Sequence, residues 1–233
     1  MKIEKFNRLD CVEARGVAIV IDVIRAFTTA AYAFAAGADK IVTVGKIDEA
    51  FHYRAKNPNY LLMGEIKGEP IPGFQFGNSP SQFDGHQIKG ETLVQRTTSG
   101  TQGVVAAVNA DVILPASFVV ANATLKRILA LDPEQVSFII TGQNDGSEDL
   151  ALADYLEACL LGRSPDPASY LERVKNSPNA RKVDEDPNNA CCSAQDLAEV
   201  LKIDRYAFAL EVQREEEGLV MRPVHAEGHR WSL

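Results

Sequence analysis

The sequence predicts a three-layer α/β/α fold in which a mostly parallel sheet is built from βαβ units. The first observation is a β-branched run, "ARGVAIVI", that leads into the alanine-rich helical segment "AFTTAAYAFAAG" and then into "DKIVTVG". The second observation is that the same unit occurs again as "ETLVQ", "GTQGVVAAVN" and "DVILPAS". Strands that alternate with helices in this way are typical of a parallel sheet covered by helices on both faces.

The downstream chain continues the alternation and then changes in composition. "SFVVANATLKRILAL" predicts a helix, "QVSFIIT" a strand, and "SEDLALADYLEACLLG" a helix for which Ser147 is the expected N-cap. Residues 163–192 are rich in proline, asparagine and charge, so we expect an exposed loop region there with one short helix. Another helix is predicted at "SAQDLAEVL", and the strands "YAFALEVQ" and "GLVMRP" predict a C-terminal hairpin.

Length and composition limit the domain organisation and the kinds of partner. The chain has 233 residues, of which 45% are hydrophobic, which is enough for one large domain or two modest ones. We expect a single domain over residues 1–233, with two subdomains split near residues 85–90 as the alternative. The net charge of -8 offers no basic stripe to neutralise phosphates, so a nucleic-acid partner is not expected.

The expected location is the cytoplasm, without membrane association. Asp22 and Arg25 interrupt the best apolar run, which therefore stays below the roughly 18 residues of a membrane span. The N-terminal "MKIEKFNRLDC" has no apolar stretch of the kind found in secretory signals. The neighbouring Cys191 and Cys192 are interpreted as incidental thiols rather than a redox pair, and His225 and His229 as part of a tail rather than a metal site. Assembly into a homo-oligomer is left open.

Polar residues recur where the predicted strands end. Ligands of such sheets bind outside the carboxyl ends of the strands, so these residues are the candidates for a site. The first strand leads to Asp22 and Arg25, and "FIITGQNDGSED" supplies a dense polar cluster. Apart from the turn that follows "ETLVQ", the positions are Asp22, Arg25, Glu65, Lys67, Glu69, Asn78, Ser79, Ser117, Thr141, Gln143, Asn144, Asp145, Glu148 and Asp149.

The turn "RTTSGTQG", from Arg96 to Gly103, is the most informative of these strand ends. A strand that enters a hydroxyl- and glycine-rich turn before a helix offers free backbone N–H groups to an oxyanion. The turn matches neither the Walker A spacing nor the dinucleotide-binding fingerprint. Anion binding and an ordinary helix cap both remain open as interpretations.

Asp22 and Arg25 each allow a structural and a functional interpretation. Asp22 is a candidate cap of the following helix, a metal ligand suited to Mg²⁺, or a nucleophile that forms an aspartyl-phosphate. Arg25 is a candidate for a salt bridge or for bidentate binding of phosphate or carboxylate. Glu148 and Asp149 are candidate oxygen ligands, or residues that complement the dipole at the start of their helix.

Four strings together resemble the 2-phosphosulfolactate phosphatase family, the ComB family. They are "VIDVIRAFTTAAYAFAAGA", "GE…IPGFQFGNSP", "TTSGT" and "EDLALADYL", in the family's order and approximate spacing. The resemblance covers most of the chain from about residue 17 to residue 162. It implies a Mg²⁺-dependent phosphatase that converts 2-phospho-3-sulfolactate, or a related phosphate ester of a 2-hydroxy acid, to the hydroxy acid and inorganic phosphate. The implied reaction lies on a route towards coenzyme M.

The resemblance also implies a set of site residues. Asp22, Arg25 and Glu65 are expected to be catalytic, and Mg²⁺ is expected among Asp22, Glu65, Glu148 and Asp149. The expected phosphate-binding residues are Asn78, Ser79, Thr97, Thr98, Ser99, Gly100 and Thr101.

Two departures from the family's pattern affect the expected substrate. Ile66 stands where the family typically has arginine, with Lys67 beside it, and Ser99 stands where asparagine is frequent. The missing arginine keeps open an alternative function, a non-catalytic binding protein for a small phosphorylated or carboxylated metabolite.

Overall fold

The structure, a computed structural model, describes residues 1–142, 146–185 and 192–227. Gln143, Asn144 and Asp145 of the predicted polar cluster, together with Cys191 and His229, lie outside these ranges. The strands are β1 (Lys2–Asn7), β2 (Val17–Ile21), β3 (Lys40–Thr43), β4 (Leu61–Ile66), β5 (Glu69–Pro70), β6 (Thr92–Arg96), β7 (Val112–Ala116), β8 (Gln135–Ile140), β9 (Ala209–Glu215) and β10 (Gly218–Val224).

The α-helices follow the strands in the predicted alternation. They are α1 (Ala26–Ala35), α2 (Ile47–Lys56), α3 (Gly100–Ala106), α4 (Ala121–Leu131), α5 (Ser147–Leu160), α6 (Pro167–Lys175), α7 (Pro178–Glu185) and α8 (Ala194–Val200). No helix in the described part of the chain is both long enough and apolar enough to cross a membrane.

The ten strands form one sheet in the order β1-β8-β2-β7-β9-β10-β3-β6-β4-β5. Five of its nine neighbouring strand pairs are parallel, and four are antiparallel. The prediction of an α/β fold with a mostly parallel sheet is confirmed. The predicted C-terminal hairpin is also confirmed, because β9 and β10 pair antiparallel from Gly218–Glu215 to Val224–Ala209.

The position of the hairpin was not predicted. β9 pairs with β7 and β10 pairs with β3, so the last strands of the chain join the two sets of parallel strands. The N-terminal strand β1 was also missed, because three of its six residues are charged. It pairs with β8 at one end of the sheet, where none of its residues is fully buried and its side chains need not be apolar.

Two local predictions were wrong. The range 163–192 contains two helices, α6 and α7, where we expected a loop region with one short helix. Asp166 caps α6 by accepting a hydrogen bond from the Ala168 N–H, and Pro167 at the first helical position favours the start of a helix. Ser147 is the first residue of α5 and not its N-cap, since left-handed Gly146, with a φ of 57°, takes that place.

The sheet curves around α1. Nine of the ten residues of α1 are buried, as expected of a helix that is apolar on all sides. β2 and β6 are five strand positions apart in the sheet, which would be about 24 Å if the sheet were flat. Yet Gln95 of β6 donates a hydrogen bond to the carbonyl of Ala26, which begins α1 just after β2. The carboxyl ends of both strands therefore meet at one place.

We expect Phe208→Ala to lower the free energy of unfolding by about 3–5 kcal/mol, the usual cost of emptying a phenylalanine site in a core. Phe208 is fully buried just before β9, where it meets Phe34 of α1 edge-to-face and stacks on Tyr206. Chemical denaturation would measure the change. Leu9→Ala is the control, because Leu9 is 91% exposed. Equal stabilities of the two variants would contradict a core role for the segment that enters the hairpin.

Candidate active site

A cavity of about 480 Å³ lies where β2, β4, β6 and β8 end. Of the twelve site residues predicted from sequence, eight line it: Asp22, Arg25, Glu65, Asn78, Thr98, Ser99, Glu148 and Asp149. The other four, Ser79, Thr97, Gly100 and Thr101, lie beside it without lining it. The structure therefore brings polar residues from separate strand ends together, as predicted.

Asp22 caps α1 and also lines the cavity. Its Oδ1 accepts a hydrogen bond of 2.9 Å from the Ala26 N–H, so the carboxylate caps α1. Its Oδ2 faces Gly100, where an added Cβ would lie 2.8 Å from Oδ2 and 2.7 Å from the Ala26 Cβ. Gly100 is thus required by close approach, and Asp22 sits against the first residue of α3 with 6% of its surface exposed.

Burial raises the pKa values of two carboxyls at the bottom of the cavity. The pKa of Asp22 rises to about 6, chiefly because burial disfavours the charged form, with added repulsion from Glu65 and Glu148. The pKa of Asp149 lies well above its ordinary range, again from burial first and then from the charges of Asp22 and Glu148. These carboxylates are close enough to repel one another, so the site attracts protons or cations.

Asp149 and Glu65 hold the backbone of the site together. Asp149 accepts hydrogen bonds of 2.8 Å from the N–H groups of Val23 and Gly142, which links the ends of β2 and β8. Glu65 accepts from the Gly68 N–H at 2.6 Å and from both the N–H and the hydroxyl of Thr98. All four carboxylate oxygens already have donors, so these two residues are less available for chemistry than the sequence indicated.

Glu148 has one oxygen without a protein donor. Its Oε1 accepts a hydrogen bond of 2.6 Å from the Asn179 amide, while Oε2 is buried and has no hydrogen-bond partner within the described residues. Leaving a buried acceptor unpaired costs free energy, which a cation would recover. Among residues 1–142, 146–185 and 192–227, no three Asp, Glu, His or Cys side chains are arranged to hold a metal ion.

The hydroxyl-rich turn serves largely to cap its own helix. The Thr97 Oγ1 accepts from the Thr101 N–H at 3.0 Å, and the Thr101 Oγ1 accepts from the Thr97 N–H at 2.8 Å. The Thr98 N–H is bound to Glu65. Several donors that we expected to face a phosphate are therefore paired within the protein, whereas Ser99 still lines the cavity.

Arg25 lines the cavity and also forms a buried salt bridge. Its Nη1 lies 3.0 Å from Oδ2 of Asp196, and the two side chains are 6% and 3% exposed. Ser79, expected to bind phosphate, instead donates a hydrogen bond of 2.6 Å to the other oxygen of Asp196. Both of the interpretations offered for Arg25 are thus compatible with its position.

Four functional candidates escaped the sequence analysis or were given little weight there. Lys67 borders the cavity beside exposed Ile66, so this loop still supplies a cation. Asn179 and Lys182 reach the cavity from α7, in the range expected to be a loop. Their spacing of three residues, which places side chains on one helical face, was the available signal. No local pattern indicates Asp196.

We expect Asp22→Asn to stabilise the metal-free protein near pH 7.5, since it removes a buried charge while keeping the oxygen that caps Ala26. A folded-state pKa of about 6 against the ordinary 3.8 means that stability falls as pH rises through this window. The variant should lack this fall, which corresponds to about 1–3 kcal/mol. Denaturation at pH 4 and pH 7.5 measures the difference.

The control for this prediction is Asp84→Asn, which removes one charge from an exposed position. Asp84→Asn should leave the difference between the two pH values unchanged. If Asp22→Asn loses stability at pH 7.5, the carboxylate is a simple structural cap.

Comparisons with known proteins identify the family of the chain. The family model described as 2-phosphosulpholactate phosphatase matches residues 5–209. A "Probable 2-phosphosulfolactate phosphatase" of Bacillus subtilis (strain 168) is 39% identical over 168 residues, which are 70% of this chain and 73% of that protein.

Two further relatives carry the same description. The protein of Thermotoga maritima is 34% identical over 71% of this chain and 74% of its own length. The protein of Carboxydothermus hydrogenoformans is 40% identical over 61% of this chain and 59% of its own length, so that alignment spans less than two thirds of the relative. With the family match over most of its length, the chain belongs to the 2-phosphosulfolactate phosphatase family.

Proposed function

We propose that the protein is a Mg²⁺-dependent phosphatase that hydrolyses 2-phospho-3-sulfolactate or a related 2-hydroxy-acid phosphate ester. The observation that carries this proposal is the convergence of Asp22 and Glu148 at the bottom of a cavity whose lining also includes Arg25, Lys67 and Lys182. Acidic groups at the base suit a divalent ion, and basic groups suit the anionic ester. Membership of the family supports the same reaction.

Asp22 and Glu148 are the residues that would hold Mg²⁺. Glu148 offers a buried oxygen without a protein donor, and Asp22 repels its acidic neighbours unless a proton or cation neutralises it. Mg²⁺ in phosphoryl-transfer sites is typically bound by one or two carboxylates, with waters and substrate phosphates completing its shell. Two protein ligands therefore suffice, although no three acidic, histidine or cysteine side chains converge in the described ranges. When bound, the ion would neutralise charge on the phosphoryl oxygens.

Asp22 is the residue on which the chemistry would depend. In hydrolysis the ester P–O bond breaks, a water oxygen ends on phosphorus, and the leaving alkoxide takes a proton. Asp22 would serve as a base towards that water or as a nucleophile replaced by water in a second step. In the metal-free protein burial raises the pKa of this carboxyl to about 6, so protons and Mg²⁺ would compete for it near neutral pH. Arg25 and Ser99 would hold phosphoryl oxygens, since both line the cavity.

The organic end of the ester would lie against Lys67 and Lys182. 2-Phospho-3-sulfolactate carries a carboxylate and a sulfonate besides the phosphate, so it needs cationic partners away from the acidic base. Lys67 follows β4 and Lys182 belongs to α7, and both border the cavity. Lysine binds anions as a point charge without the planar fork of arginine, which would tolerate related hydroxy-acid esters.

We expect the purified protein to release phosphate from 2-phospho-3-sulfolactate with Mg²⁺ and to lose this activity in EDTA. Adding Mg²⁺ back should restore it. Asp22→Asn should reduce turnover by at least about 1000-fold, in line with removal of a group needed for the reaction, while the circular dichroism spectrum stays unchanged. Binding of the ester without release of phosphate would instead favour the alternative of a non-catalytic binding protein.

We expect Lys67→Ala and Lys182→Ala each to raise the KM for 2-phospho-3-sulfolactate about tenfold, the size of one charge-assisted hydrogen bond at a partly exposed site. Neither change should affect hydrolysis of an aryl phosphate whose organic part is uncharged. Lys126→Ala, at an exposed position on α4, is the control for loss of a positive charge. Equal losses with both substrates would show that these lysines do not recognise the organic anion.

A further inference from the structure

Asp196 of α8 is the centre of a buried polar network next to the cavity. Its Oδ2 forms the salt bridge with the Arg25 Nη1 at 3.0 Å. Its Oδ1 accepts hydrogen bonds from the hydroxyls of Ser79 and Ser81, at 2.6 and 2.7 Å, and from the Ser81 N–H at 3.1 Å. With 2% of its surface exposed, the carboxylate is almost completely removed from water.

This network keeps Asp196 charged. Burial disfavours the carboxylate, but the hydrogen bonds from Ser79 and Ser81 and the charge of Arg25 outweigh it and hold the pKa below its ordinary value. A buried ion pair of this kind contributes little net stability, because desolvation offsets most of the attraction. Its value to the protein therefore lies in the geometry that it imposes.

The network links two residues that line the cavity. Arg25 is held directly, and Asn78 lies next to Ser79 in the chain, with an amide oxygen that is buried and has no hydrogen-bond partner in the described part of the structure. An arginine side chain has several rotatable bonds, so an unsupported Arg25 would sample many orientations. The carboxylate of Asp196 fixes one edge of the guanidinium and leaves the other donors for a ligand.

We propose that Asp196 is a positioning residue of the active site, which orients the Arg25 guanidinium towards the phosphoryl oxygens of the substrate. This inference rests on the proposed phosphatase function and extends it to a residue 171 positions along the chain from Arg25. The competing explanation is that Asp196 only fastens α8 to the body of the protein. In that case its effect on activity would not pass through Arg25.

The variant Asp196→Asn separates the two explanations. Each carboxylate oxygen of Asp196 faces a backbone N–H, that of Ser81 at Oδ1 and that of Ser193 at Oδ2, so the amide of the variant can satisfy only one of them. In either orientation Arg25 loses the negative charge that holds it, because an amide is neutral. We expect kcat/KM for 2-phospho-3-sulfolactate to fall roughly 10- to 100-fold, with a rise in the inhibition constant of inorganic phosphate.

A double-mutant cycle with Arg25→Ala provides the decisive comparison. If Asp196 acts through Arg25, the variant carrying both changes should lie within about threefold of Arg25→Ala alone, because groups that act as a unit are not additive. A double variant whose loss equals the product of the two single losses would overturn the proposal. Wild-type kinetics in Asp196→Asn would also overturn it.

Ser193→Ala is the matched control for the anchoring of α8. Ser193 caps α8 through a 3.0 Å hydrogen bond from the Asp196 N–H, and its removal loosens the helix without changing the Arg25 contact. This variant should unfold at a lower temperature but keep wild-type kcat/KM. If Ser193→Ala loses as much activity as Asp196→Asn, the loss comes from loosening of α8 and not from the Arg25 contact, and the proposal is wrong. If Asp196→Asn does not fold, Asp196→Glu, which moves the carboxylate by one methylene, replaces it in the cycle.

Failure of the proposed phosphatase function can be told apart from failure of the positioning role of Asp196. If the wild-type protein releases no phosphate from the ester, the phosphatase assignment fails. The same cycle is then measured by calorimetric binding of inorganic phosphate in the presence of Mg²⁺, where a non-additive loss of affinity still supports the positioning role. Absence of phosphate binding in the wild-type protein would overturn the positioning role as well.

Discussion

Crowding of carboxylates away from water is the constraint on which the site depends. Asp22, Glu65, Glu148 and Asp149 are each at most 6% exposed and lie near one another at the ends of three strands. Keeping four such groups in one place costs free energy unless donors or cations compensate. Backbone N–H groups compensate Glu65 and Asp149, which become the framework of the site. Glu148 keeps a buried oxygen without a donor among the described residues, and Asp22 lines the cavity beside it, so these two are the pair that we assign to the chemistry.

The curved sheet is what brings these groups together. Asp22 follows β2 and Glu65 belongs to β4, and five strands lie between β2 and β4 in the sheet order. Because the sheet curves around the buried helix α1, the ends of β2 and β4 come close together. The hairpin of β9 and β10 lies between the two sets of parallel strands and pairs with both. The hairpin is thus structural, whereas α7 and α8, which precede it, carry polar residues to the cavity. The C-terminal third of the chain contributes to the site as well as to the fold.

The turn from Arg96 to Gly103 contributes both to the fold and to the site. The Thr97 hydroxyl accepts from the Thr101 N–H in the first turn of α3, and the Thr101 hydroxyl accepts from the Thr97 N–H just before that helix. Gly100 lets Asp22 approach at a distance that a side chain would block. The string "TTSGT" therefore shapes the cavity chiefly by allowing close contact between β2 and β6, and only part of it faces a ligand.

The sequence by itself determined the alternation of strands and helices, the hairpin and the class of positions at which the site lies, because these follow from local periodicity and from the rule that ligands bind at strand ends. Eight of the twelve predicted site residues line the cavity for this reason. Only the tertiary structure decided that the hairpin enters the middle of the sheet, that Glu65 and Asp149 bind backbone, and that Asp196 meets Arg25. These three features depend on which distant surfaces pack together. A local sequence pattern does not indicate that Arg25 pairs with a residue 171 positions further along the chain.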